Sequence, residues 1–250
     1  MIWVILAAAA IAVATFVGTV IGYFFRNISR KTYDIVIGFS AGIMLCAAVF
    51  GLIEPSLRSG GSFGIFTVML GIVCGALFLC CIDKLTPDMN NLVGISESNE
   101  QGRVLLLVSA IAIHHFPEGI AAGVSFGSGD ASEIILVCAG IAIQNIPEAA
   151  LVIAPLLNAG VKSGKSLVLA LISGGVEIIG TFLGYFAINT AKAIMPFALA
   201  FAGGSMLYII IDEMIPQTHS SSYGAAASYS ALAGFCTMLG LDSLIEAVLS

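Results

Sequence analysis

The sequence predicts an all-α polytopic membrane protein with eight transmembrane helices, and three observations carry that expectation. Of its 250 residues, 59% are hydrophobic and only 10% are charged, against about 25% charged in soluble domains. So few polar groups could not cover a water-facing surface, so the outer surface must face lipid. Apolar runs long enough to span a bilayer, roughly 20 residues each, recur along the whole chain. The breaks between them carry turn chemistry, as in Ser59-Gly60-Gly61-Ser62, Gly127-Ser128-Gly129-Asp130 and Lys162-Ser163-Gly164-Lys165. Nine Lys and Arg against fifteen Asp and Glu, a net charge of −6, exclude a nucleic-acid binder. The same composition excludes a soluble enzyme and a disordered segment.

The spans are expected at about 2–25, 34–54, 62–82, 103–126, 133–157, 165–189, 194–215 and 225–249, forming a single transmembrane domain over residues 1–250. The first lacks a basic leader and its apolar run is too long for a signal peptide, so it reads as helix one. Connections after helices one, three and five hold Arg26, Arg30, Lys31, Lys84, Arg103, Lys162 and Lys165, while the other face holds Arg58 and Lys192. That asymmetry puts the first face in the cytoplasm and both termini outside. The longest connection, about 83–102, is then cytoplasmic, polar and free of histidine. Glycines four apart, Gly18/Gly22, Gly38/Gly42, Gly71/Gly75, Gly119/Gly123 and Gly180/Gly184, let helix backbones approach closely in lipid. Cys46, Cys74, Cys138 and Cys236 lie in apolar runs, and adjacent Cys80 and Cys81 offer no CxxC spacing. No disulfide framework is implied.

The informative residues are the ionisable ones at mid-span. Helix four reads IAIHHFPEGIAAG, with His114, His115 and Glu118; helix five reads IAIQNIPEAALVI, with Gln144, Asn145 and Glu148; helix six adds Glu177. Three central carboxylates carry a gross insertion penalty on the order of 8–10 kcal/mol. The fourth and fifth segments align without a gap, and in each a polar side chain and a Glu four residues apart project from one face. Pro117 and Pro147 each withhold a backbone donor and free the carbonyl four residues back, although either proline alone means little in a membrane helix. Carboxylates, imidazoles and amide oxygens together suit a divalent cation such as zinc, iron(II) or manganese, whose charge offsets the buried anions. The competing interpretation is a structural cluster in which protonated Glu118 and Glu148 bond to His and Asn.

HHFPEGIAAG followed by QNIPEAALVIAPL resembles the paired fourth- and fifth-helix signatures of the ZIP (zinc/iron permease-like) transporters, usually written HNFPEG and HNIPEG. GFSAGIMLCAAVFGLIEPSL looks like that family's second helix, SGGVEIIGTFLGY its sixth and AFAGGSMLYIIIDEMIPQTH its seventh. The resemblance, to a bacterial-type member, covers essentially the whole chain. It implies transport of divalent metal, zinc foremost with iron, manganese or cadmium as alternatives, into the cytoplasm. The metal is the transported substrate, and no catalytic cofactor is expected.

It also implies a binuclear site. One metal would take His114, Glu118, Gln144 and Glu148, with Met44 near it. The second would share Glu118 and Glu148 and add Asn145, Glu177 and His115. The resemblance further implies an inverted repeat of helices one to three against six to eight, and a slide of helices one, four, five and six against the other four. It implies a homodimer in the cell membrane as well. Three positions depart from the pattern: Gln144 stands where His is common, His115 where Asn is usual, and Ile178 where Pro often follows the helix-six Glu. Met44 taken by itself is a core methionine. Asp212 and Glu213 suit a solvated helix end or, together with Glu54, Asp242 and His219, the lining of a vestibule; Ser109 and Ser173 suit bonds to their own helices. Two rival functions remain, a proton-coupled carrier of small organic solutes and an intramembrane metalloenzyme. The second is weakened because HHFPE is not HExxH, so the chain is not expected to be an enzyme.

Overall fold

A computed structural model of the chain describes residues 1–24, 28–60, 64–92, 115–158, 161–190 and 192–249, and every regular element among them is helical. The helices are α1 (Ile2–Phe24), α2 (Arg30–Ser59), α3 (Gly64–Leu92), α4 (described over 115–125), α5 (Ala131–Asn158), α6 (Ser163–Thr190), α7 (Met195–His219) and α8 (Gly224–Leu249). Among the described residues, seven helices, α1 to α3 and α5 to α8, contain a stretch long and apolar enough to cross a membrane. Large apolar side chains such as Trp3 at 71%, Phe66 at 69% and Leu232 at 61% lie exposed, as expected where lipid is the solvent. The chain is a multi-pass membrane protein.

Three of the described helices run past the ends expected from the sequence. α3 runs on to Leu92, through the start of the connection expected at 83–102. Asp83, Lys84, Asp88, Asn90 and Asn91 are polar without breaking a helix, so composition ends the span while the helix continues. α2 extends from Arg30 to Ser59 and α7 from Met195 to His219, so neither Pro55 nor Pro216 terminates its helix. Each proline is preceded by a π-helical stretch, Ala47–Ile53 in α2 and Ile210–Met214 in α7. The wider turn absorbs the carbonyl that proline leaves without a donor. Asp212 and Glu213 therefore lie within such a turn rather than at a helix end. Residues 93–114, which include the first half of the predicted fourth span, Ser109 and His114, lie outside the described residues, as does the side chain of Ser173.

Glycine–backbone contacts set the arrangement. Gly18 and Gly22 of α1 sit against the backbone of Ile146 and Ala150 in α5. Gly119 and Gly123 of α4 meet Glu177 and Thr181 of α6, and Gly180 and Gly184 return the contact to Phe116 and Ile120. Gly38 and Gly42 of α2 meet Ala227 and Ala231 of α8, while Gly71 and Gly75 of α3 meet α7 at Phe197 and Phe201. The α1–α5 pairing thus mirrors α6–α4, and α2–α8 mirrors α7–α3, the symmetry of an inverted repeat. Phe39-Ser-Ala-Gly-Ile-Met44 and Phe201-Ala-Gly-Gly-Ser-Met206 carry it in sequence, and Met44 and Met206 are both fully buried in one apolar cluster. The described part of α4 is buried on nearly every side, which places it at the centre of the bundle.

A Cβ at Gly42 or Gly75 would overlap partner backbone, which cannot yield as a flexible side chain can, whereas Gly240 faces open space. Gly75→Ala is expected to lower thermal stability in detergent by about 1–3 kcal/mol, the usual cost of overpacking. Gly240→Ala should match or slightly exceed the parent. Melting curves followed by size-exclusion chromatography check both.

Candidate metal site

Three helices bring the polar side chains together at the buried centre. Pro117 occupies the first turn of the described part of α4, and that turn presents His115 and Glu118 at 3% and 1% exposure. α5 passes alongside and contributes Gln144 and Asn145, both fully buried, and the partly buried Glu148. α6 supplies Glu177, also fully buried, because Gly119 allows the α6 backbone to approach α4 beside Glu118.

His115, Glu118 and Glu148 each offer a ligand atom, and these atoms lie within 4.8 Å of one another. Around this triad the two amides act as connectors. Gln144 Nε2 donates to Glu118 Oε1 at 2.8 Å. Asn145 Nδ2 donates to both oxygens of Glu177, at 2.9 and 2.7 Å. Glu118 Oε2, Gln144 Oε1 and Asn145 Oδ1 are buried yet accept no hydrogen bond among the described residues. Buried acceptors are nearly always satisfied, so three such oxygens in one cluster mark a place where something electropositive belongs.

The profile of the ZIP zinc transporter family matches residues 93–242, more than half of the chain. The chain is a member of the ZIP zinc transporter family. Zinc transporter ZIPB of Bordetella bronchiseptica is 33% identical over 251 residues, covering 97% of this chain and 81% of its own. Zinc transporter GufA of Myxococcus xanthus is 32% identical over 224 residues, covering 86% and 88%. Zinc transporter ZIP11 of Homo sapiens is 28% identical over 317 residues, covering 91% and 93%.

In this ZIP-family chain, the structure gathers His115, Glu118, Gln144, Asn145, Glu148 and Glu177 in adjoining clusters. His114 lies outside the described residues, and the imidazole seen beside Glu118 and Glu148 is His115, three residues before Glu118. Met44 is fully buried in the apolar core with Met206 and Leu199. Glu54, Asp242 and His219 stand away from this cluster: Arg58 bonds Glu54 at 2.6 Å, and His219 Nε2 lies 3.1 Å from Ser228 Oγ.

Sequence reasoning missed Thr15 of α1, whose hydroxyl accepts from Asn145 Nδ2 at 3.1 Å. Its signal was available. Thr15, Gly18, Thr19 and Gly22 form one buried stripe of α1, and the glycine pair already marked that stripe as a close contact.

Asn145→Leu strips Glu177 of two donor contacts and is expected to destabilise the metal-free protein by about 1–3 kcal/mol, the cost of orphaning a buried acceptor. Adding Glu177→Leu should recover part of that loss, because both partners are then apolar. Thermal melts of the two variants in chelator-treated detergent solution check the sign.

Proposed function

We propose that this chain carries divalent transition-metal ions, zinc foremost, across the membrane into the cytoplasm, through a carboxylate–histidine site at the bundle centre. The observation that carries the reading is the trio of buried oxygens without donors, Glu118 Oε2, Gln144 Oε1 and Asn145 Oδ1, beside the His115–Glu118–Glu148 triad. A structural hydrogen-bond cluster would consume its own acceptors. This one leaves lone pairs directed at nothing, in a medium where each unsatisfied group is costly.

The ligand set is mixed. Imidazole and carboxylate suit zinc, iron(II) and manganese alike, and Gln144 offers an amide oxygen where many family members carry a nitrogen ligand. Relaxed discrimination between zinc and the harder cations follows from that exchange. Two overlapping ligand sets would serve two metals: His114, Glu118, Gln144 and Glu148 for one, and Asn145, Glu177, His115 and the shared glutamates for the other. Shared anions reduce repulsion between neighbouring dications. Met44 is the candidate soft ligand from α2.

Transport requires the site to face each side in turn. The slide implied by the family resemblance, α1, α4, α5 and α6 against α2, α3, α7 and α8, is supported by the character of the contacts. Within each group, glycines press on backbone. Between the groups, Gly140 meets the end of Met238 and the Ala47 methyl, and Gly51 meets the Val137 methyl. Side-chain ends can yield as one group moves, and backbone cannot. A homodimer in the cell membrane with both termini outside completes the reading. The termini follow from the Lys and Arg distribution, the dimer from family resemblance.

Purified protein in liposomes is expected to accumulate radioactive zinc, with Glu118→Ala and Glu148→Ala reduced to the flux of empty vesicles. Wild-type rates in both variants would overturn the proposal. Uptake of an organic solute with a proton, in place of metal, would favour the solute carrier.

A further inference from the structure

Thr15 is 1% exposed, one turn before Gly18, where α1 lies against the backbone of Ile146. That contact sets its hydroxyl beside Asn145, the residue preceding Ile146. A threonine hydroxyl has one proton, and Thr15 Oγ1 donates it to the Ile11 carbonyl at 3.1 Å. Toward Asn145 it can then only accept, and it does so from Nδ2 at 3.1 Å. The same nitrogen serves Glu177 at 2.9 and 2.7 Å. Both neighbours of the amide nitrogen are therefore acceptors, and both amide hydrogens are used. Oδ1, at the other end of the planar amide group, is the atom left buried without a donor.

An Asn side chain is nearly symmetric in shape, so only its partners decide which end faces which way. Glu177 alone does not secure that choice once a cation draws on its carboxylate. The Thr15 hydroxyl stays outside the proposed ligand set; it also lies within hydrogen-bonding reach of Glu177, and whichever acceptor takes its single proton, its lone pairs still call for the Asn145 N–H.

We propose that Thr15 is a positioning residue for the metal site. By engaging Asn145 Nδ2 it holds Asn145 Oδ1 toward the cation, so that α1, which contributes no ligand, sets the affinity of the Asn145–Glu177 half of the site. The inference rests on the metal-transport reading above. It deepens that reading by assigning a role to a hydroxyl outside the ligand set.

The test is equilibrium dialysis of the purified, full-length protein against radioactive zinc. Thr15→Val keeps the shape and removes the acceptor. It is expected to weaken zinc binding about tenfold or more, the usual cost of losing a group that orients a metal ligand. Thr15→Ser restores the acceptor and should bind within about twofold of wild type. In an Asn145→Ala background, Thr15→Val should add nothing further, an outcome that a general packing defect would not give. Should Thr15→Val aggregate, Thr15→Ala serves in its place with the same expectations.

Wild-type affinity in the Thr15 variant, while Asn145→Ala binds weakly, would overturn the proposal. So would a Thr15→Val loss that persists in full without Asn145, or wild-type binding by Asn145→Ala. Glu118→Ala and Glu148→Ala report separately on the parent reading. Full zinc binding by both would sink metal binding at this site altogether, whatever Thr15 does.

Discussion

Glu118 and Glu177 are buried among helices whose outer faces meet lipid, at 1% and 0% exposure, and the remaining architecture answers to that burial. A carboxylate at mid-membrane costs about 2.5–3.5 kcal/mol even on the lenient insertion scale. A hydrogen bond to a charged group returns about 1.5–3 kcal/mol. Glu177 receives one forked N–H, because the other amide hydrogen serves Thr15, and Glu118 receives one bond. The amides therefore offset most of the penalty and leave a remainder, located on Glu118 Oε2 and on the amide oxygens themselves. A carrier needs that partial balance. Full satisfaction without metal would leave no reason to bind, and no satisfaction would leave the empty protein unable to hold its fold.

The amides make the balance possible because each has two ends. Gln144 and Asn145 turn their N–H groups to the carboxylates, which can only accept when ionised. Their oxygens are then free for a cation. A histidine in place of Gln144 would offer nitrogen to the metal and one donor elsewhere; the amide offers a harder oxygen atom. The same glycines that hold the bundle together place these groups. Gly119 sets the backbone of Glu177 beside Glu118, and Gly18 sets α1 beside Ile146 and hence Thr15 beside Asn145. Preorganisation here is a consequence of backbone-to-backbone packing, which gives less than side-chain packing does.

How much of this the sequence disclosed depends on which physical signal carried it. Helix number and class were legible because composition and run length report directly on the solvent. Helix ends at α3 and α7 were not. Polar residues end an apolar run without ending a helix, and a π-turn lets Pro216 sit inside one. The ligand candidates were legible from spacing within a helix, since Glu118 and Glu148 each follow polar residues by three or four positions. The partnerships between helices were not. That Gln144 turns to Glu118 while its neighbour Asn145 turns to Glu177 follows from adjacent residues projecting about 100° apart on a helix of 3.6 residues per turn, with α4 on one side and α6 on the other. Sequence alone does not say which helix lies on which side. Thr15 escaped for the same reason, because a threonine bonded to its own helix is unremarkable until its neighbour is known.

The contact between the two helix groups bears on how the site could change its exposure. Its centre is apolar, with Ile43, Cys46 and Ala47 of α2, Leu136 of α5 and Met238 of α8 in one small cluster. Methionine is flexible and adapts to irregular gaps, and alanine and cysteine are small, so little in this cluster interlocks the two groups. An ion pair also crosses it. Arg58, two-thirds exposed at the end of α2, reaches Glu133 near the start of α5 at 3.8 Å while holding Glu54 of its own helix at 2.6 Å. Surface pairs of this kind contribute about 0–1 kcal/mol, comparable to thermal energy. Arg58 keeps Glu54 when it releases Glu133, so its own charge stays paired. Neither element resists movement strongly, in contrast to the glycine-to-backbone contacts inside each group. The stiff contacts thus lie where the proposed ligands would stay in register, and the compliant ones where the proposed slide would carry the two groups past each other.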